Sequence, residues 1–304
     1  MAIGCDCNVG LSDTGRPGCV PLFSVTNNLI QVPLKDKMGN LNGIDLNAPI
    51  PTDWNVYINN VDASQRWFPL PGMENVEVPK ADSQFEEANS GRMAFLRQGK
   101  RSLAGEFWAD DSTPTFLGKL EKGRCVDFGV YIVDVNGNLI GSEVDGFLYP
   151  IPVDNASWDP KFGFATDATV QKIMLGFDFE RTFDESTMYM VTVDEAGVDF
   201  STLKGLIDVN LAFVGTPSAT SLVAEASFDY GTAFNKLPYT GADLVADWLL
   251  ENTTLATTVV IDTVIENPDG TYTLAYAAGV TVPEGIKLTV VKTGFDGEAS
   301  SVTA

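Results

Sequence analysis

Apolar and polar residues alternate in short runs along most of this chain, with Gly, Pro and Asn between the runs. A period of two is the pattern of half-buried β-strands, because successive side chains of a strand point to opposite faces of its sheet. The longest run, TVQKIMLGFDFE, predicts a long strand within residues 161–184. The alternation therefore predicts a mainly β protein.

Two pairs of these runs predict β-hairpins. In residues 125–143, strand-forming residues flank Asn136-Gly137-Asn138, which can supply the positive φ of a tight turn. In residues 92–110, two further runs flank Gln98-Gly99, and we expect the chain to reverse there. Residues 54–61 also alternate and are predicted to form a strand.

One segment has helical periodicity instead. Thr113 is a suitable N-cap, and Pro114 follows at the first helical position, where its missing N–H group costs nothing. The apolar residues Phe116, Leu117 and Leu120 share one face. We predict a short helix from 114 to 122 that packs against a sheet, since so short a helix needs tertiary contacts.

The composition changes near residue 205, after which Cys and Arg are absent and Thr, Ala and Val are frequent. Short strand-like runs then follow one another at 207–214, 221–231, 257–267, 270–277, 287–292 and the chain end. Such spacing is typical of an immunoglobulin-like sandwich. Residues 240–252 interrupt the series as either a short helix or a crossover loop, with Trp248 expected in the core.

These patterns divide the chain into three regions. Residues 1–50 are rich in Asn and Gly, and we expect an extended arm with a short strand at 22–34, outside any core. Residues 51–204 are predicted to form a twisted β-sandwich or barrel with one short helix. Residues 205–304 are predicted to form the immunoglobulin-like β-sandwich.

Charge is the strongest compositional signal, with 41 acidic against 19 basic residues and a net charge of −22. Such a surface repels the phosphates of nucleic acid, so DNA or RNA is disfavoured as a bound ligand. The N-terminus lacks a basic region followed by an apolar run, and no apolar run has the length of a membrane span. We therefore expect neither secretion nor membrane association.

The absence of histidine disfavours an enzyme. Histidine is the commonest general base and a common metal ligand, and its absence also excludes Ser-His and Cys-His nucleophile pairs. The sequence contains no phosphate-binding loop, dinucleotide fingerprint or nucleophile elbow. We expect no catalytic residues and no cofactor.

The cysteines are weak candidates for a metal site. Cys5, Cys7 and Cys19 lie close together in the sequence, and Cys125 could complete a set of four ligands. Structural zinc sites usually use two closely spaced pairs of ligands, and this spacing differs from that pattern. Packing residues of the arm are the favoured interpretation; zinc binding, or a disulfide between Cys19 and Cys5 or Cys7 in an oxidising environment, stays open.

The main basic cluster is Arg92, Arg97, Lys100 and Arg101. In so acidic a chain, we expect these side chains to contact another subunit rather than nucleic acid.

Three segments carry a family resemblance: GRMAFLRQGKRSLAGEFW, PTFLGKLEKGRCVDFGVYIVDVNGNLIG and FATDATVQKIMLGFDFERTF. Their order along the chain and their amino-acid sequences resemble the tail tube (major tail) proteins of tailed bacteriophages over about residues 75–195. Tail proteins often carry appended immunoglobulin-like domains, which agrees with the predicted C-terminal sandwich.

The resemblance implies a virion protein that is made in the host cytoplasm and assembles with itself and with other virion proteins. Its subunits would form rings, hexameric in the family, which stack into a tube. Acidic side chains along the lumen would let DNA pass without binding. We expect the long strand and the 125–143 hairpin to supply these acids.

Two alternatives stay open. One is another virion component, such as a head-decoration, head-fibre or neck protein. The other is a surface-adhesion or carbohydrate-binding protein, for which Trp54, Trp67 and Trp108 could form an exposed aromatic row.

Overall fold

A computed structural model describes residues 22–49, 51, 53–232, 234–277 and 285–301. The protein is mainly β, with 46% of its residues in strands and 13% in helices, which confirms the predicted fold class. It divides into two compact units, of which one ends at Leu203 and the other begins at Lys204. Each unit is described by itself.

The first unit contains three short α-helices and two main sheets within the described residues. The helices are α1 (Asn55–Ile58), α2 (Pro114–Glu121) and α3 (Val193–Ala196). The strands are β1 (Thr26–Pro33), β2 (Ile44–Asp45), β3 (Phe68–Pro69), β4 (Glu74–Glu77), β5 (Gln84–Glu87), β6 (Met93–Arg97), β7 (Ser102–Trp108), β8 (Phe128–Asp134), β9 (Leu139–Val144), β10 (Phe147–Tyr149), β11 (Ile151–Pro152), β12 (Asp159–Gly163), β13 (Lys172–Asp178) and β14 (Met188–Val191).

The larger sheet has the order β2-β10-β9-β8-β1-β3, with β11 pairing to β8 and β14 to β9. The smaller sheet has the order β12-β13-β7-β4. Alternate residues of both sheets meet in one apolar core, which includes Val130, Ile132, Phe107, Ile173 and Leu175. The first unit is therefore a β-sandwich, as its period-two pattern predicts.

The other face of the larger sheet carries a second, aromatic cluster. Tyr131 on β8 points away from the main core and lies 5.2 Å from Trp67, measured between ring centroids. Trp67 in turn contacts Tyr57 and Trp54, and Trp54 packs edge-to-face on Phe200. Because both faces of the sheet are covered, all seven residues of β8 are buried.

The segment that carries Trp54 and Tyr57 forms the short helix α1 rather than the predicted strand at 54–61. The apolar residues of this segment pack against one face of the larger sheet. Their near-alternating spacing therefore arises from a short helix and not from a strand.

The strand predicted within residues 22–34 is confirmed, but the expectation that it belongs to an arm outside any core is wrong. Residues 26–33 form β1, which lies between β8 and β3 in the larger sheet. Leu29, Ile30 and Val32 are fully buried, because β1 contributes side chains to both faces of a covered sheet. Residues 1–21 lie outside the described part of the chain.

The predicted turn and helix of this unit are confirmed. Gly137 has a φ of +79°, and the buried Asp134 carboxylate accepts hydrogen bonds from the backbone N–H groups of Asn136 and Asn138. Helix α2 begins at Pro114, and the Thr113 hydroxyl accepts a hydrogen bond from the Phe116 N–H group. Of the helices in the described residues, none combines the length and apolar character required to cross a bilayer.

The second unit is built from strands alone, apart from a short 3₁₀ turn, within its described residues. The strands are β15 (Ile207–Phe213), β16 (Ser221–Thr232), β17 (Asn235–Pro238), β18 (Trp248–Asn252), β19 (Thr257–Val259), β20 (Ile261–Glu266), β21 (Thr271–Tyr276), β22 (Ile286–Val290) and β23 (Phe295–Ser301). They follow the order β19-β18-β22-β23-β15-β16-β21-β20, and β17 pairs to β16.

This strand order is that of an immunoglobulin-like sandwich. One sheet is β15-β16-β21-β20 and the other is β23-β22-β18-β19. The first two strands of the unit, β15 and β16, are thus neighbours in one sheet, and the last two, β22 and β23, are neighbours in the other. A single residue, Val260, separates β19 from β20, so one chain segment passes from one sheet to the other. The parallel pairing of β15 with β23 joins the sheets on the other side.

Trp248 lies in the core of the second unit, as predicted. It is the first residue of β18, and its indole N–H group donates to the carbonyl of Ala242 at 2.7 Å. It packs 4.9 Å from the Tyr272 ring, measured between centroids. Of the short helix considered for residues 240–252, only a 3₁₀ turn at Val245–Asp247 is present, because residues 248–252 form a strand whose alternate side chains enter the core.

Candidate assembly surface

The first unit carries one long antiparallel hairpin, residues 74–108. Its base is the pairing of β4 with β7, in which Glu77 lies opposite Ala104. The backbones of Lys80 and Arg101 then form an isolated antiparallel β-bridge. Farther from the sandwich, β5 pairs with β6. The chain reverses at residues 88–92, where the Ala88 N–H group donates to the Arg92 carbonyl at 2.9 Å.

The predicted reversal at Gln98-Gly99 is therefore wrong. Strands β6 and β7 follow one another along the same arm of the hairpin, and β5 and β4 form the opposite arm. Gly99 is required by a close contact and not by a turn, since an added Cβ atom would lie 1.7 Å from the Ala81 carbonyl oxygen. Both uses of glycine occur in strand-rich chains.

The outer part of this hairpin, β5 and β6 with their turn, is called the tip hairpin here and spans residues 84–97. Every residue of β5 and β6 is exposed, so the tip hairpin extends from the sandwich. It forms a sheet of two strands that is separate from the two main sheets. An isolated two-stranded sheet is at best marginally stable in water, which makes the contacts at its base important.

The tip hairpin has one mainly apolar face, on which Glu87 is the charged residue opposite Met93. Phe85 lies directly opposite Phe95, with ring centroids 5.6 Å apart, and Met93 lies two residues along on the same face. These three side chains are between 53% and 62% exposed. Glu86 and Ala94 form the next pair, which points to the other face. An exposed apolar face of this kind is characteristic of an interaction site.

The predicted basic cluster is divided between the tip and the base of this hairpin. Arg92 and Arg97 are exposed on the tip hairpin, where the Arg97 Nε–H group donates to the Gln84 side-chain oxygen at 2.5 Å. Lys100 and Arg101 are half-buried at its base and form ion pairs within the same chain. The four residues are thus divided between two places on the hairpin, and the predicted contact with another subunit stays a prediction.

Lys100 joins the hairpin base to two other parts of the sandwich. Its ammonium group lies 3.0 Å from the Asp154 carboxylate and 2.9 Å from that of Asp178 on β13. The Ser102 hydroxyl donates to the second oxygen of Asp178 at 2.7 Å. The hydrogen bonds to Asp178 and Asp154 raise the pKa of Lys100, so its charge is retained at every physiological pH.

Arg101 makes a two-pronged ion pair with Glu185. Its Nε and Nη2 groups donate to the two carboxylate oxygens at 2.9 Å and 3.1 Å. Lys80, on the opposite arm of the hairpin, binds the same carboxylate at 3.0 Å. The hydrogen bonds from Arg101 and then from Lys80 lower the pKa of Glu185 to about 2. This pairing fixes both arms of the hairpin to the turn before β14.

The metal-site candidates receive no support from the described residues. Cys125 is a free, exposed thiol. Cys5, Cys7 and Cys19 lie outside the described residues. Within the part of the chain that the structure describes, no group of His, Cys, Asp or Glu side chains is arranged to hold a metal ion.

The aromatic row considered for carbohydrate binding is absent from the described surface. Trp54 and Trp67 are buried, with 2% and 4% of their areas exposed, because both belong to the cluster that covers the larger sheet. Trp108 is partly exposed, and its indole N–H group donates to the Glu106 carboxylate at 2.8 Å.

Two acidic side chains of the segments expected to supply lumen acids are occupied within the chain. Asp134 of the 125–143 hairpin is fully buried in its turn. Asp178 of the long strand is paired with Lys100. Exposed carboxylates occur at Asp127 of the 125–143 segment and along the first arm of the long hairpin, at Glu74, Glu77, Glu86 and Glu87. Which acids would line a lumen stays a prediction.

A polar depression of about 400 Å³ lies next to the hairpin base. Its lining includes Asp127, Asn155, Glu180 and Arg181. It opens to solvent and lacks the apolar walls of a typical small-molecule pocket. The tip hairpin is therefore the surface that the described structure offers most clearly for a macromolecular contact.

No protein-family model matches the chain. A search of curated proteins finds no match either.

Proposed function

We propose that this protein is a structural subunit of a phage virion that assembles with copies of itself, and that the assembly is the tail tube. The observation that carries the proposal is the tip hairpin, whose Phe85, Met93 and Phe95 are exposed on one face. A monomer gains nothing from this arrangement, because exposed apolar side chains on a two-stranded sheet neither build a core nor aid solubility.

Three further features support the proposal. The β-sandwich with the capped helix α2 agrees with the segments that resemble tail tube proteins. The strand order of the second unit agrees with the immunoglobulin-like domains often appended to tail proteins. The ion pairs of Lys100 and Arg101 fix the orientation of the hairpin relative to the sandwich. A fixed orientation is required if every copy is to make the same contact with its neighbour. The net charge of −22 disfavours adhesion of DNA to a tube wall.

The test compares the purified full chain with the double variant Phe85→Ser/Phe95→Ser. Light scattering after size-exclusion chromatography gives the mass of the particles, and negative-stain images give their shape. We expect rings or stacked rings from the unchanged chain, and an assembled fraction at least tenfold lower from the variant, because the apolar contact is lost.

Phe164→Ser/Phe234→Ser is the matched control, since these phenylalanines are also exposed, by 81% and 102%, and lie elsewhere. The control should assemble as the unchanged chain does. A compact monomer at all concentrations would contradict the proposed function. Trimers without rings would favour a head-decoration or fibre protein instead.

A further inference from the structure

The tip hairpin has two open sheet edges. Within the described residues, β5 pairs with β6 and β6 with β5, and each lacks a strand on its other side. The backbone N–H and C=O groups along these outer edges are available to a strand from another molecule. Proteins usually protect such edges with bulges, prolines, short strands or charged side chains. Here a bulge lies only at the end nearest the sandwich, near residues 84–85, and the charged side chains have opposite signs on the two edges.

The two edges carry opposite charge. Glu86 and Glu87 lie on β5, and Arg92 and Arg97 lie on β6 or beside it. Among the described residues, these acids form no ion pair with these arginines, which leaves both sets of charges available. Opposite charges on adjacent strands stabilise their pairing, and like charges oppose it.

We propose, on the basis of the proposed self-assembly, that β5 of one copy pairs with β6 of the next copy around a ring. The acidic edge of each tip hairpin then meets the basic edge of its neighbour. Copies related by rotation about one axis point their hairpins the same way, so the new pairing is antiparallel, as within each hairpin. The apolar faces of successive hairpins become continuous.

The charges disfavour the competing two-fold arrangement. Pairing β5 with β5 would bring the acidic residues of two copies close together, and pairing β6 with β6 would do the same for the arginines. A pairing of unlike edges is head-to-tail and continues from copy to copy, which generates a closed ring or a helical filament in place of a dimer. The hairpin thereby determines the symmetry of the assembly.

Charge reversal tests this pairing in the full chain. The acid variant is Glu86→Lys/Glu87→Lys, and the base variant is Arg92→Glu/Arg97→Glu. Each alone brings like charges together at every contact, and we expect the assembled fraction to fall at least tenfold. An equal mixture of the two should recover assembly, because alternating copies restore an acid-to-base contact at every interface. The variant with all four substitutions should recover it as well.

Asp167→Lys/Asp262→Lys is the control for the acid variant, since it changes the net charge equally at exposed positions elsewhere and should leave assembly unchanged. Raising the salt concentration should weaken assembly of the unchanged chain. If the unchanged chain forms rings and neither variant alters them, the edge pairing is wrong and the proposed function stands. If the mixture fails to recover assembly, the pairing is also wrong. If the unchanged chain forms no assembly, both proposals fail.

Discussion

Glu185 connects two basic side chains at the base of the long hairpin. Its carboxylate binds Arg101 through both oxygens and Lys80 through one of them. The side chain is 26% exposed, so water only partly screens the pair. The ion pair therefore contributes to stability as well as to the position of the hairpin.

We predict that Glu185→Gln lowers the free energy of unfolding by about 1 kcal/mol at pH 7. The pKa of Glu185 is about 2 in the folded protein against 4.5 without its partners. Its contribution is thus complete above pH 4.5 and is lost as the pH falls towards 2. Urea denaturation at pH 7 and near pH 2.5 should show a difference between the proteins that shrinks at the lower pH.

Glu121→Gln serves as the comparison, because Glu121 is an exposed glutamate in the same unit. It should change stability by a few tenths of a kcal/mol at most. A Glu185→Gln difference that is the same at both pH values would show that the ion pair is not its cause.

At the scale of elements, the hairpin depends on the close crossing of its two arms at Gly99 and Ala81. The Ala81 N–H group donates to the Lys100 carbonyl at 2.8 Å, next to the contact that only glycine permits. This crossing lies between the base pairing of β4 with β7 and the tip hairpin. It therefore connects the rigid sandwich to the exposed tip.

We predict that Gly99→Ala destabilises the first unit by about 1–3 kcal/mol, because the added methyl group meets backbone and not a movable side chain. Gly118→Ala is the matched control: Gly118 lies in α2 with open space around it, and alanine there should add about 0.5–1 kcal/mol. Thermal unfolding followed by circular dichroism measures both. A neutral Gly99→Ala would mean that the arms do not cross this closely.

Gly99 also shows where sequence reasoning ends. The strands on both sides of it, the turn at Gly137 and the helix after Thr113 were predictable, because alternation, positive φ and capping act over a few residues. The partner of β6 was not, because a glycine between two strands fits a turn and a close crossing equally well. Lys100 and Arg101 likewise bind carboxylates far away in the sequence, which no local pattern predicts.

At the scale of the whole molecule, the change of composition near residue 205 lies next to the division between Leu203 and Lys204. The expected arm at 1–50 was wrong for residues 26–33, because the strand predicted there is a buried central strand that lies among Asn- and Gly-rich segments. The exposure of the tip hairpin could not be predicted from the sequence either, because strand residues such as Phe85 and Phe95 show the same alternation whether they lie in a core or on the surface.

We predict that residues 204–304 fold alone. Trp248 is the only tryptophan of this segment and is 4% exposed, so its fluorescence reports the fold. Urea denaturation of the fragment should give one cooperative transition. Leu250→Ala, at a fully buried position, should lower its stability by about 2–5 kcal/mol, whereas the exposed Leu244→Ala should have little effect. A broad transition without cooperativity would show that this unit needs the rest of the chain.

The parallel pairing of β15 with β23 has a mechanical consequence. Ile207 lies opposite Phe295 at the start of both strands, and the Ile207 N–H group donates to the Gly294 carbonyl at 2.9 Å. A force that pulls Ile207 away from Ser300 acts along these strands and loads their hydrogen bonds together. The tip hairpin, pulled apart at its base, would instead open one bond after another. The hydrogen bonds between β15 and β23 are thus loaded in shear, which resists stretching better than the sequential opening of a hairpin.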